Sequence, residues 1–145
     1  MSLLRPASLI ACLWAGLAGS AWAQSQPALV YDMGGKFDKS FNEAAYNGAE
    51  RWKKETGKPY LEFEIANETQ REQAMRRMAE RGANPVIGIG FSQASSIEKV
   101  AKEFPKLSFA IIDAVVNLPN VESVVFKEHE GSFLVGMMAA IASKS

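Results

Sequence analysis

The residues of this chain best suited to chemistry gather in the run Asp32-Met33-Gly34-Gly35-Lys36-Phe37-Asp38-Lys39-Ser40-Phe41-Asn42. Two adjacent glycines permit a tight turn and close backbone approach, and the helix expected to follow turns its first amides toward a ligand. Phe41 offers an aromatic face and Asn42 an amide, a pair suited to a planar, hydrogen-bonding molecule. The plainer alternative has Phe41 in the core and Asn42 capping the helix. Asp32 and Asp113 each follow an apolar strand-like stretch, where a carboxylate accepts hydrogen bonds from hydroxyls or amines, acts as a general base, or is merely solvated in a turn. Gly90-Phe91-Ser92-Gln93 offers a backbone amide and an aromatic edge, or else an ordinary turn with Ser92 as cap.

Several chemistries find no support. The G-x-G-x-x-G spacing and the Walker lysine pattern are both missing around Gly34-Gly35, and Gly88-x-Gly90 is only a fragment of the former. His129, the single histidine, lies between Glu128 and Glu130, which suits a surface ion pair better than a metal or a Ser-His-Asp set. No catalytic residue, metal ligand or cofactor is assigned.

The elements that must position these residues follow from hydrophobic periodicity. Apolar strands are expected at Ala28 to Tyr31, Tyr60 to Ala66, Val86 to Gly90, Ser108 to Ile112 and Val121 to Phe126. Helices alternate with them. The first, Phe41 to Glu55, turns Phe41, Ala44, Ala45, Gly48, Ala49 and Trp52 to one side. Ser40 with Glu43, and Thr69 with Glu72, have capping-box spacing, and Gly82 closes the second helix after Ala74, Met75, Met78 and Ala79. A third helix spans Ala94 to Phe104. The fourth, Glu130 to Ala142, is apolar almost all round and too short to cross a bilayer, which predicts burial, with Met137 and Met138 as core filling. The alternation specifies an α/β fold with a parallel sheet, whose ligands bind outside the carboxyl ends of the strands.

The N-terminus reads as a secretory signal over residues 1–23: Arg5, an apolar stretch from Leu9 to Leu17, then Ala21-Trp22-Ala23 before cleavage. A lipobox-like Leu9-Ile10-Ala11-Cys12 competes, with lipid anchoring at Cys12, but only six residues separate Arg5 from Cys12, which favours cleavage after Ala23. Cleavage removes the only cysteine, and with it any disulfide or thiolate site. The formal net charge of zero becomes minus one when Arg5 is lost, so no basic excess points to nucleic acid. About 120 remaining residues, 24–145, suffice for one domain.

The Asp38-Lys39-Ser40-Phe41-Asn42 core, followed in order by Gly88-Ile89-Gly90-Phe91, Phe109-Ala110-Ile111-Ile112-Asp113 and Glu130-Gly131-Ser132-Phe133-Leu134-Val135-Gly136, resembles the basic membrane protein family of purine-nucleoside-type ABC-transporter binding proteins. The resemblance implies a type I periplasmic-binding lobe, the N-terminal one of two, with the second absent from this sequence. It implies a periplasmic location, an inner-membrane ABC permease as partner, a nucleoside-like ligand, and no cofactor. Phe41 would stack on the base, Asp32 and Asn42 would supply polar contacts, Asp113 would bind sugar hydroxyls, and Gly90 and Phe91 would line the cleft. Two alternatives stand beside it: a sugar or autoinducer-like furanose as ligand, or an exported α/β enzyme with Asp32 or Asp113 as base.

Overall fold

The computed structural model describes residues 26–144. The expected signal segment and Cys12 lie outside them.

Five strands form one all-parallel sheet: β1 (Ala28–Tyr31), β2 (Leu61–Glu64), β3 (Val86–Ile89), β4 (Phe109–Ile112) and β5 (Val121–Val124), in the order β2-β1-β3-β4-β5. Helices α1 (Phe41–Thr56), α2 (Gln70–Glu80), α3 (Ala94–Glu103) and α4 (Glu128–Ala142) complete the α/β architecture. Strand order reverses between β1 and β3, because the chain leaves β1 for β2 on one side and returns to β3 on the other. That reversal opens a crevice at the carboxyl ends of the two strands.

Side-chain alternation along each strand makes two layers. Ala28, Val30, Val86, Phe109 and Ile111 face α2 and α3 and form the main core with Met75, Met78, Ile97 and Val100. Leu29, Tyr31 and Ile89 face the other way, toward Ala45, Tyr46 and Ala49 of α1. Helix α2 ends in a Schellman arrangement, in which the Ala83 amide donates to Met78 O at 3.0 Å and the Gly82 amide to Ala79 O at 2.9 Å. Gly82 takes the left-handed φ of 76° that this closure requires.

Gly88 sits under the crossing of α2 and α3. A Cβ there would lie 2.6 Å from Ile97 Cδ1 and 2.7 Å from Met75 Cε. Gly88→Ala is therefore expected to destabilise the fold by about 1–3 kcal/mol through overpacking, read as a lower urea midpoint at unchanged slope. An unchanged midpoint would show that the two flexible side-chain ends yield freely.

Three expectations are corrected. Neither Ser40 nor Thr69 caps its helix through its side chain. Asp38 takes over at α1, where its carboxylate accepts the amides of Ser40 at 2.8 Å, Asn42 at 3.1 Å and Glu43 at 3.1 Å, while Glu43 turns back to the Lys39 amide at 3.0 Å. At α2, Thr69 Oγ1 bonds Asn67 and Glu72 pairs with Arg76 and Lys99. Finally, α4 buries none of its side chains among the described residues, and Phe133, Leu134, Met138 and Ile141 are all exposed. Its apolar character is as expected, but within residues 26–144 no layer is placed to receive it.

β4 and β5 also pair in parallel without an intervening helix. Asn120 makes this short link possible, because its Nδ2 donates to Ala101 O at 3.0 Å and Leu107 O at 3.1 Å and so ties the loop beneath the end of α3.

Candidate functional site

The crevice between β1 and β3 is closed at its floor by Gln93, a fully buried side chain just after β3. Its Nε2 donates to Val30 O at 2.8 Å and Ile89 O at 2.9 Å, bridging the two strands where their ladder ends. Above this floor sit the residues singled out in the sequence.

Asp32 follows β1 directly. Its Oδ1 accepts the Met33 amide at 2.8 Å and the Arg71 guanidinium at 3.1 Å, and its Oδ2 accepts the Ser92 hydroxyl. Desolvation, the largest single influence, pushes the Asp32 carboxyl up, but hydrogen bonds from Ser92, Met33 and Arg71, with the Arg71 charge, together hold it below the usual carboxylate range. Asp32 is thus an ionised acceptor at neutral pH.

Asn42 lies in the first turn of α1 with 2 % of its surface exposed. Its Oδ1 accepts the Asp32 amide at 3.2 Å, and its Nδ2 donates to Asp32 O at 3.1 Å and Gly35 O at 3.2 Å. The side chain therefore clips the loop after β1 onto α1. Phe41, one residue earlier, is 36 % exposed and stands edge to face with Phe126, with ring centroids 6.3 Å apart at 84°. Phe126, by its sequence the expected end of a strand, lies just past β5. Together the two rings head an apolar groove of about 610 Å³ between α1 and the sheet, lined further down by Leu29, Ile87, Ile89, Ile112 and Trp52.

Gly90 carries a φ of +102°, and a Cβ at this position would lie 3.2 Å from Asp32 Oδ2. Only glycine meets both demands readily. Phe91 follows with its ring 70 % exposed at the rim. Asp113 directly follows β4 in the left-handed region at φ 75°, its amide bonded to Val124 O at 2.7 Å. Such a conformation in a non-glycine residue stores strain and is common where function demands it. Asp113 and Asp32 end strands that are two positions apart in the sheet, which separates them by roughly 10 Å along the rim. Glu128, at the start of α4, has its carboxyl raised by a hydrogen bond to Asp113 and by that residue's charge.

All six candidate residues, Asp32, Phe41, Asn42, Gly90, Phe91 and Asp113, therefore come to the carboxyl-end rim of one sheet. Four neighbours in the same rim escaped the sequence analysis in these roles: Arg71, Ser92, Phe126 and Glu128. Phe126 and Glu128 follow a strand end, a signal that would have found them; Arg71 lies within a helix and carries none. One expectation is narrowed here. Around the start of α1 the amides of Ser40, Asn42 and Glu43 are taken by the Asp38 carboxylate and that of Lys39 by Glu43, so most of this helix start is closed to a ligand. No cluster of three metal-ligating side chains occurs among the described residues, and no described helix is long and apolar enough to cross a membrane.

Comparison with known proteins agrees with this architecture. The chain is 32% identical over 135 residues to the ABC transporter nucleoside-binding protein BmpA of Lactococcus lactis, covering 90% of this chain and 38% of that protein. An uncharacterized lipoprotein of Pyrococcus furiosus is 33% identical over 135 residues, covering 87% of this chain and 33% of that one. Among solved structures, an ABC transporter solute-binding protein from Aeropyrum pernix superimposes with a TM-score of 0.74 at 30% identity, over 80% of this chain and 32% of its own. The chain spans about a third of the length of these relatives. Residues 26–145 match the family of PnrA-like ABC transporter substrate-binding proteins, and the chain belongs to that family.

Proposed function

We propose that this chain forms the first ligand-binding lobe of an extracytoplasmic substrate-binding component of an ABC importer, one that captures a purine nucleoside and hands it unchanged to an inner-membrane permease. The observation that carries this reading is that one sheet rim bears both an aromatic face about one-third in solvent, Phe41 at the head of the α1 groove, and an ionised acceptor, Asp32 at the end of β1. A nucleobase has the matching features: a flat π surface and an edge of hydrogen-bonding groups.

The sugar falls to Asp113, roughly 10 Å along the rim, whose carboxylate can accept from two neighbouring hydroxyls. Charge narrows the ligand class further. Asp38, Asp113 and Glu128 bring carboxylates to the rim, Asp32 is balanced by Arg71, and the α1 amides of Asn42 and Glu43, which would otherwise attract an anion, are bonded to Asp38. A phosphorylated nucleoside would meet repulsion where a neutral one meets none. Bond-making chemistry has little to recommend it, because Asp32 is held below the range of a useful general base. Export follows from the signal-like residues 1–23 and accords with the lipoprotein character of a relative.

Titration calorimetry of the full-length natural polypeptide with inosine, guanosine and adenosine, against ribose and AMP, tests the proposal. Heat with the nucleosides and little with AMP is expected. Silence with all three nucleosides, or preference for ribose alone, would overturn the assignment in favour of a sugar-type ligand.

A further inference from the structure

Arg71 stands outside every motif read from the sequence, yet it reaches from the first turn of α2 to the end of β1. Its Nη2 and Nε lie 3.1 and 3.4 Å from Asp32 Oδ1, and only 13 % of its side chain is exposed, against 26 % for Asp32. On the opposite flank, the Ser92 hydroxyl from the turn after β3 donates to Oδ2. Asp32 is thus gripped by elements from both sides of the crevice.

A carboxylate has about four acceptor sites, two on each oxygen. Oδ1 is saturated by the Met33 amide and Arg71, whereas Oδ2 has accepted only Ser92. The single Ser92 proton is committed to Asp32, so its oxygen can offer the ligand nothing but lone pairs. Gly90 keeps the space beside Oδ2 open, since a Cβ there would come within 3.2 Å.

We propose that Arg71 and Ser92 are positioning residues, which hold the Asp32 carboxylate in one orientation so that its free Oδ2 face and Ser92 Oγ form an acceptor-only edge for N–H groups of the bound base. This rests on the nucleoside reading above and extends it: the favoured ligands present N–H donors at that edge, as the N1–H of a 6-oxopurine does. The charged groups facing Asp32 are Arg71 and, 3.8 Å behind it, Glu68. Asn42 from α1, Ser92 from the β3–α3 turn and Gly90 add no charge, and Asp113 is roughly 10 Å away across the rim. Loss of Arg71 therefore removes the only cation at the carboxylate among these neighbours, which makes Asp32 easier to protonate. Acceptor strength is then lost at a higher pH than in the wild type, as pH falls.

The experiment combines two readouts on the full-length polypeptide and its R71M, R71K and S92A variants. Carbon-13 NMR of the Asp32 carboxyl, assigned with Asp32→Asn, follows its titration without ligand, and calorimetry follows inosine affinity from about pH 3 to about pH 7, a window that spans the carboxylate range. In R71M the Asp32 midpoint should rise and affinity should fall about tenfold or more, with a larger loss at the acid end. R71K, which keeps the charge but not the two-pronged guanidinium, should lie between, and S92A should weaken inosine more than 1-methylinosine, which lacks the N1–H. Circular dichroism and urea unfolding identify any variant that fails to fold, for which R71K supplies the decisive measurement. An unmoved Asp32 titration in both arginine variants would overturn the clamp, as would an affinity loss of equal size at every pH. A wild type silent toward all nucleosides would instead remove the ligand reading, and the two failures are distinguishable.

Discussion

Phe41→Ala is expected to weaken nucleoside binding about tenfold to a hundredfold, and to lower the stability of the free protein by about 1–3 kcal/mol without unfolding it. Stacking of a base on an aromatic side chain contributes roughly 1–3 kcal/mol by alanine substitution, and every 1.4 kcal/mol is about a tenfold change in affinity. The free protein loses the edge-to-face pair with Phe126, about 0.5–1.5 kcal/mol, and the burial of a ring about two-thirds out of water, about 1–2 kcal/mol. Calorimetry against urea unfolding separates the two effects. Phe41→Trp should preserve binding, because it keeps a π face; Phe41→Leu should not, although it keeps most of the apolar area. If Phe41→Ala binds inosine as the wild type does, the ring serves only to cover the groove beneath it.

The second large effect belongs to Asn42, and its character differs. Asn42→Ala deletes three hydrogen bonds from a nearly inaccessible position and leaves the Asp32 amide and the Asp32 and Gly35 carbonyls without that partner. Each stranded buried group costs about 1–3 kcal/mol where water cannot replace the bond. Partial access at the loop puts the expected loss of stability at about 2–4 kcal/mol, together with lower affinity, because Asp32 is no longer anchored at its backbone. Asn42→Asp should be no better: it keeps the acceptor for the Asp32 amide, loses both donations, and adds charge beside Asp32 and Asp38. A fall in affinity with unaltered stability would instead show that Asn42 acts on the ligand itself, the role implied by family resemblance, and not as a clip for the loop.

Both predictions turn on a distinction invisible in the one-dimensional motif. Phe41 and Asn42 are neighbours on α1, yet one faces the groove mouth and the other the inside of the β1–α1 turn. Helical geometry sets successive residues about 100° apart, so adjacent letters of a motif serve different masters.

The strand–helix alternation, the parallel sheet, and the strand-end positions of Asp32, Gly90, Phe91 and Asp113 were all legible in the amino-acid sequence. Each depends on local periodicity and on the rule that parallel strands end on a common rim, neither of which requires knowing which side chains meet. Family membership was legible too, from four short motifs in order. What only the tertiary structure decided is partnership across the chain. Asp38, not Ser40, caps α1; Arg71 reaches Asp32 across 39 residues of sequence and Ser92 reaches it across 60; Phe126 meets Phe41; and α4 stands clear of the layers described here. Competing hydrogen-bond partners of similar local fitness are separated by only about 1 kcal/mol, and long-range packing decides which one wins.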